Sequence, residues 1–162
     1  MMDARSAREV FVYEPETGRL SWRRSPRRGF VGREAGTINN YGYRQIRTNG
    51  RVYMAHRVAW LIMTGEWPVA DIDHINLDRA DNRWSNLRAA TRSQNKANSP
   101  RNARNTSGVK GVQWRKRDQR WRAVIIKDYK RYELGVFATK EAAKAAYDAK
   151  AVELFGEFAR AA

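Results

Sequence analysis

The chain has 162 residues, 42% of them hydrophobic with six tryptophans, and 32 Lys and Arg against 17 Asp and Glu, a formal net charge of +15. Such a composition can build the core of one domain or of two small ones, which excludes a disordered chain, and the positive excess argues against an ordinary enzyme of small metabolites and for a polyanionic partner. There is no cysteine for a disulfide or a thiolate zinc site, the longest apolar run (Val58 to Met63) is too short to span a bilayer, and MMDARSAREVFV lacks an export-signal core, so the expectation is a cytosolic protein with no structural zinc and no membrane partner.

From the N-terminus, Val10 to Tyr13 and Arg19 to Trp22 flank Glu14-Pro15-Glu16-Thr17-Gly18 and predict a hairpin, with Phe11, Tyr13, Leu20 and Trp22 at strand period. Ser25 to Arg33 is basic and contains glycine, hence a loop. Tyr43 to Arg47 and Arg51 to Met54 flank Asn49-Gly50, the strongest short hairpin signal. Tyr43, Gln45 and Arg47 share one face of this ribbon and Arg44, Ile46 and Thr48 the other. Its arginines either track phosphates or form a solvated face, and Arg44 is taken as a DNA contact. His56 to Met63 suits a buried helix ended by Thr64-Gly65. His56, at its start, is expected to be structural or to contact phosphate, and Arg57 to contact DNA.

The stretch Asp73 to Asn95, DHINLDRADNRWSNLRAATRSQN, holds one of only two histidines. It reads as a strand over Val69 to Ile75, a polar loop, a short strand over Leu87 to Ala90, and a helix opening at Thr91 with Gln94 completing a capping box. An aspartate precedes His74, and amides follow it at Asn82, Asn86 and Asn95. Such a set can hold a hard divalent ion through oxygens, leave an imidazole as a base and orient that imidazole from behind.

YMAHRVAW followed by DHINLDRADNRWSNLRAATRSQN resembles the HNH (ββα-metal) nucleases, specifically the phage and intron homing endonucleases, over roughly residues 52 to 98. The resemblance implies Asp73 and Asn95 as metal ligands, His74 as general base, Asn86 as the residue that orients His74 through its far nitrogen, and Asn82 as a structural loop amide. It implies Mg²⁺ or Mn²⁺ as cofactor, stabilising the phosphorane and the departing 3′-oxygen. The expected products carry 5′-phosphate and 3′-hydroxyl ends.

Lys96 to Ser107 is basic and poor in apolar residues; its start finishes the helix and the rest is a linker. Three strands then read over Gly108 to Arg117, Arg120 to Lys127 and Arg131 to Val136, followed by a helix from the Thr139 cap to about Leu154, with Phe155 and Phe158 closing the core. The signatures W-x-A-x-I, LG-x-F and EAA…AYD…FGEFA resemble the AP2 DNA-binding domain. That resemblance implies a sheet docked in the major groove, with Lys110, Gln113, Arg115, Arg117, Arg122, Val124, Arg131 and Glu133 on the DNA side and Trp114, Trp121 and Tyr147 packed.

The sequence thus predicts an α+β chain in three parts: N-terminal hairpins with an HNH unit over 1–98 (core about 69–98), a basic linker over 99–107, and an AP2-like domain over 108–160. The expected activity is metal-dependent cleavage of duplex DNA by a monomer or weak dimer in a bacterial or phage-infected cell, the N-terminal hairpins adding DNA contacts. The competing reading is a sequence-specific DNA-binding regulator with a vestigial nuclease site.

Overall fold

The computed structural model describes residues 2–25 and 28–160, so Pro26 and Arg27 of the expected Ser25–Arg33 loop lie outside the described residues. Among the described residues the architecture is α+β, built from small antiparallel sheets and four α-helices. The chain divides between Ala90 and Thr91 into two compact units.

The first unit opens with an element that the sequence pattern did not announce, α1 (Ala4–Val10). Its signal is a cap rather than a period: Asp3 Oδ1 accepts from Ser6 N at 2.8 Å. β1 (Phe11–Glu14) and β2 (Arg19–Trp22) form the predicted hairpin, with Phe11 opposite Trp22 and Tyr13 opposite Leu20. β3 (Thr37–Ile38), too short to show a period, adds to the predicted pair β4 (Arg44–Thr48) and β5 (Arg51–Met54). Asn49 and Gly50 both take positive φ, 48° and 71°, as a tight hairpin turn of this hand requires. α2 (Ala55–Thr64) ends at Gly65 in the left-handed region and buries Ala55, Val58, Ala59 and Leu61. Phe11, Leu20, Trp22, Ala35, Ile46, Ala55 and Val58 form one core. Ala59, Ile72 and Leu87 form a second beneath β6 (Asp71–His74) and β7 (Leu87–Ala90), flanked by Trp60 and Trp84.

In the second unit α3 (Arg92–Asn98) starts on the predicted capping box: Gln94 N donates to Thr91 Oγ1 and Thr91 N to Gln94 Oε1. It packs against α4 (Lys140–Phe155), which Thr139 caps, and against the single turn Gly156–Phe158. β8 (Val112–Arg115), β9 (Arg120–Lys127) and β10 (Lys130–Phe137) form one sheet in the order β10-β9-β8. β8 begins later than the sequence pattern suggests because Gly111 turns there with φ 70°. A Cβ at Gly111 would lie 2.1 Å from the Tyr147 ring, so only glycine lets α4 lie this close. Ala123, Ile125, Ala143, Tyr147, Ala151, Phe155 and Phe158 are buried, whereas Trp114, expected to pack, is 46% exposed and only its edge meets Trp121.

Candidate active site

The β6–β7 hairpin places the two central residues. Ile72 and His74 alternate onto one face, and Ile72 packs on Ala59 of α2. Asp73 points the other way, yet both neighbours are buried, at 3% exposure for Asp73 and 5% for His74. Asp73 sits opposite Arg88, whose Nε donates to its Oδ2 at 2.9 Å. This guanidinium was not foreseen; its signal in the sequence is a basic residue at the cross-strand position of a buried carboxylate.

His74 Nε2 lies 3.3 Å from Asn82 Oδ1. Asn82 Nδ2 donates to Ala80 O at 3.1 Å, which turns the amide oxygen toward the imidazole. The backbone of Asn82 is braced from the N-terminal hairpin. Tyr13 Oη donates to Asn82 O at 2.7 Å, and Trp84 N to Pro15 O at 2.9 Å. Gly18 presses on the same loop: a Cβ there would lie 2.3 Å from Arg83 N and 2.4 Å from Asn82 C. The β1–β2 hairpin, expected to contact DNA, is placed here as the buttress of the histidine's loop.

Asn86, expected to orient His74, is tied into the loop by both ends of its amide. Its Oδ1 accepts from Asn76 N at 2.9 Å and its Nδ2 donates to Asp81 O at 2.8 Å. In this geometry Asn82 meets the imidazole at Nε2 and Asn86 closes the loop. Sequence spacing could not separate them, because both amides belong to one turn-rich segment. The other polar residues there make local turns, with Asp78 N donating to Asn76 Oδ1 and Ala80 N to Asp78 Oδ1, both at 2.9 Å. Arg83 clasps Asp81 at 2.6 Å, which holds that carboxyl down at about 2.

His56 stands beside His74 with ring centroids 5.0 Å apart and planes at 84°. Tyr43 covers both, at 5.3 Å from His56 and 5.9 Å from His74. Burial pushes the His56 pKa down to about 3, with the neighbouring His74 and Arg57 acting the same way. Burial also lowers His74, against the opposing pull of Asn82 and of Asp73, Asp78 and Asp81. Both rings are neutral at neutral pH, the state a general base needs. Among the described residues, His56 Nδ1 is the one buried side-chain polar atom without a hydrogen-bond partner. Such an orphan costs about 1–3 kcal/mol.

Asp73 on β6 and Asn95 in the first turns of α3 carry the expected metal ligands. Among the described residues no group of three or more His, Cys, Asp or Glu side chains surrounds one point. Asp73 and Asn95, each taken by itself, are hard-oxygen donors, a carboxylate and an amide, of the kind a hard divalent ion takes.

The DNA contacts foreseen in the sequence fall into two groups. Three are engaged within the protein: Arg44 with Glu34 at 3.0 Å, Arg57 with Pro68 O at 3.0 Å and Ala70 O at 3.5 Å, and Lys110 with Ala97 O and Ser99 O at 2.6 and 2.8 Å. Lys110 thereby caps the C-terminus of α3, and burial lowers its pKa to about 8. The others lie on the sheet face away from α4, or in the turn beyond it. Gln113 is opposite Arg122 and Val124 opposite Glu133. Glu133 accepts from both Arg122 and Arg131, Arg115 pairs with Asp118 at 3.2 Å, and Arg117 is exposed in the β8–β9 turn. No helix among the described residues is long and apolar enough to cross a membrane.

Known proteins place both units. Residues 53–97 match the HNH endonuclease family model, a span that runs across the boundary between the compact units, and residues 107–157 match the AP2 domain model. An uncharacterized HNH endonuclease of Acanthamoeba polyphaga mimivirus is 33% identical over 124 residues, covering 75% of this chain but 63% of that protein, so the chain matches less than two thirds of that relative's length. Protein 3.8 of Escherichia phage T7 is 31% identical over 106 residues, 65% of this chain and 87% of that protein. No solved structure matches. With its buried Asp–His pair on a β-hairpin and its helix opened by a capping box, residues 53–97 are similar to the HNH endonucleases, and an AP2-type segment over residues 107–157 follows them in the chain.

Proposed function

We propose that this chain is a metal-dependent, homing-type DNA endonuclease that hydrolyses phosphodiester bonds of duplex DNA at a preferred site. The observation that carries this reading is His74, a buried neutral imidazole with an amide oxygen at Nε2 and a carboxylate on the preceding residue. The Asn82 oxygen favours the tautomer with its proton on Nε2, so Nδ1 is the nitrogen with the lone pair that takes a proton from water. The 3.3 Å separation is long for a hydrogen bond, as catalytic contacts often are before substrate binds. Asp73 and Asn95 are the proposed ligands of Mg²⁺ or Mn²⁺, which when bound stabilises the phosphorane and the leaving 3′-oxygen. Arg88 holds the Asp73 carboxylate in place. Asn86 closes the loop that carries Asn82.

The proposed division of labour is cutting by an HNH unit ending near residue 98 and reading by the AP2 sheet, a monomer or weak dimer on DNA. The net charge of +15 fits binding that weakens steeply with salt. The test is cleavage of phage or genomic DNA by the purified protein with Mg²⁺, Mn²⁺ or EDTA, beside His74→Ala. Cleavage at discrete positions that chelation and His74→Ala both abolish, with duplex binding retained, is the expected result. Tight duplex binding without cleavage of any DNA would instead favour the regulator.

A further inference from the structure

We propose that His56 is a positioning residue of this active site: its imidazole, together with Tyr43, packs against the His74 ring and fixes the plane in which His74 meets its substrate. The inference rests on the nuclease reading for its purpose, but its geometry stands apart from it. His56 is the second residue of α2, and the other buried residues of that helix, Ala55, Val58, Ala59 and Leu61, are all apolar. An apolar side chain at position 56 would fill the same space without stranding a nitrogen. An imidazole stands there instead, with Nδ1 unpartnered and the ring 7% exposed. Packing alone does not account for it.

The ring's neighbours do. His56, His74 and Tyr43 form a closed triangle, with centroids 5.0, 5.3 and 5.9 Å apart. The His56–His74 contact is T-shaped, the arrangement in which the polarised edge of one ring meets the electron-rich face of the other, so it depends on direction and not only on volume. Tyr43 is itself held: Tyr43 N donates to Asn39 Oδ1 at 3.1 Å, Asn39 N donates to Tyr43 O at 2.8 Å, and the Arg79 guanidinium lies 5.0 Å from its ring centre. Rotation of the His74 ring about its Cβ–Cγ bond would carry Nε2 away from Asn82 Oδ1, 3.3 Å distant. The two rings oppose that rotation.

The experiment compares wild type with His56→Phe, which keeps a ring and removes both nitrogens, and His56→Asn, which returns a polar atom near the Nδ1 position. Thermal stability, duplex affinity and the single-turnover cutting rate at saturating DNA are measured for each. Long-range ¹H–¹⁵N correlations of the His74 ring are recorded on the folded proteins. For His56→Phe the expected result is melting no lower than wild type, since the unpartnered nitrogen is gone, unchanged affinity, a cutting rate lower by about 10- to 100-fold, a shifted His74 tautomer pattern, and partial recovery in His56→Asn. His56→Phe cutting at the wild-type rate, or losing rate only in proportion to stability, would overturn the proposal. If the wild type cuts no DNA, the nuclease reading falls by itself and the spectra still decide: a His74 pattern unchanged by His56→Phe overturns the positioning role, and a changed one sustains it.

Discussion

The two units carry their polar residues in opposite ways. In the first, Asp73, His74, Asn82, Asn86 and His56 are all less than 8% exposed and hydrogen-bonded or ring-packed into one another's surroundings. In the second, Gln113, Arg117, Arg131 and Glu133 are exposed on a sheet and its turn, and Glu133 pairs with Arg131 and the partly exposed Arg122. The contrast follows from the tasks proposed for them. A base must be dry, neutral and held to within a fraction of an ångström. A reading surface must be wet until DNA arrives and is organised by cheap, screened ion pairs. Substitutions in the first unit should therefore act on the chemistry, with stability lost where a buried partner is stranded, while those in the second should move binding alone.

The sharpest break in that comparison is expected at His74. His74→Ala should reduce cleavage by at least about 10³-fold, the order of loss expected for a general base, with duplex affinity kept, as gel-shift and single-turnover assays would read. Retained cleavage would mean that the buried ring is structural. Gly18→Ala comes next. The residue has φ 72° and its Cβ would meet backbone atoms that cannot swing away, so a loss of about 3 kcal/mol is expected, read as a thermal shift, together with loss of activity through Asn82. An unchanged melting point would show that the hairpin does not brace the loop.

The two loop amides should separate. Asn86→Ala leaves Asn76 N and Asp81 O without their partners and should cost about 2–3 kcal/mol in urea unfolding. Asn82→Ala should cost less stability and more cutting rate. The reverse ranking would restore the orienting role that the sequence suggested for Asn86.

Acid should weaken the first unit in a defined window. The folded pKa of His56 is lowered to about 3 and that of His74 is also lowered. Below 6.5 the unfolded chain therefore binds protons that the folded chain refuses. The contribution is fully present above pH 6.5 and is lost as pH falls from there toward about 3, at up to about 1.4 kcal/mol per pH unit for each histidine. Stability measured between pH 7 and 5 should fall, and His56→Phe should flatten the slope. The smallest effect is foreseen at Glu133, an exposed carboxylate whose partners are the exposed Arg131 and the partly exposed Arg122. Glu133→Gln should leave melting unchanged and steepen the salt dependence of duplex binding by about one ion. A large stability loss there would contradict the contrast between the units.

By itself the sequence determined the local elements: the turn at Asn49-Gly50, the capping box at Thr91 and Gln94, the alternation of β9, and the aspartate–histidine pair flanked by amides. These depend on neighbours within a few residues, where φ, side-chain period and capping chemistry leave little choice. The two-residue β3 carries no such signal, and α1 carries only its Asp3 cap with no apolar period beside it, so neither was foreseen. Only the tertiary structure decided which amide faces His74, that Arg88 lies against Asp73, that Gly18 and Tyr13 hold the loop from some 65 residues away, and that His56 and Tyr43 close on the same imidazole. It also turned Arg44, Arg57 and Lys110 inward to carbonyls and a carboxylate of their own chain. Those outcomes rest on the meeting of distant segments, where an arginine or an amide has many equally good local partners and packing selects among them.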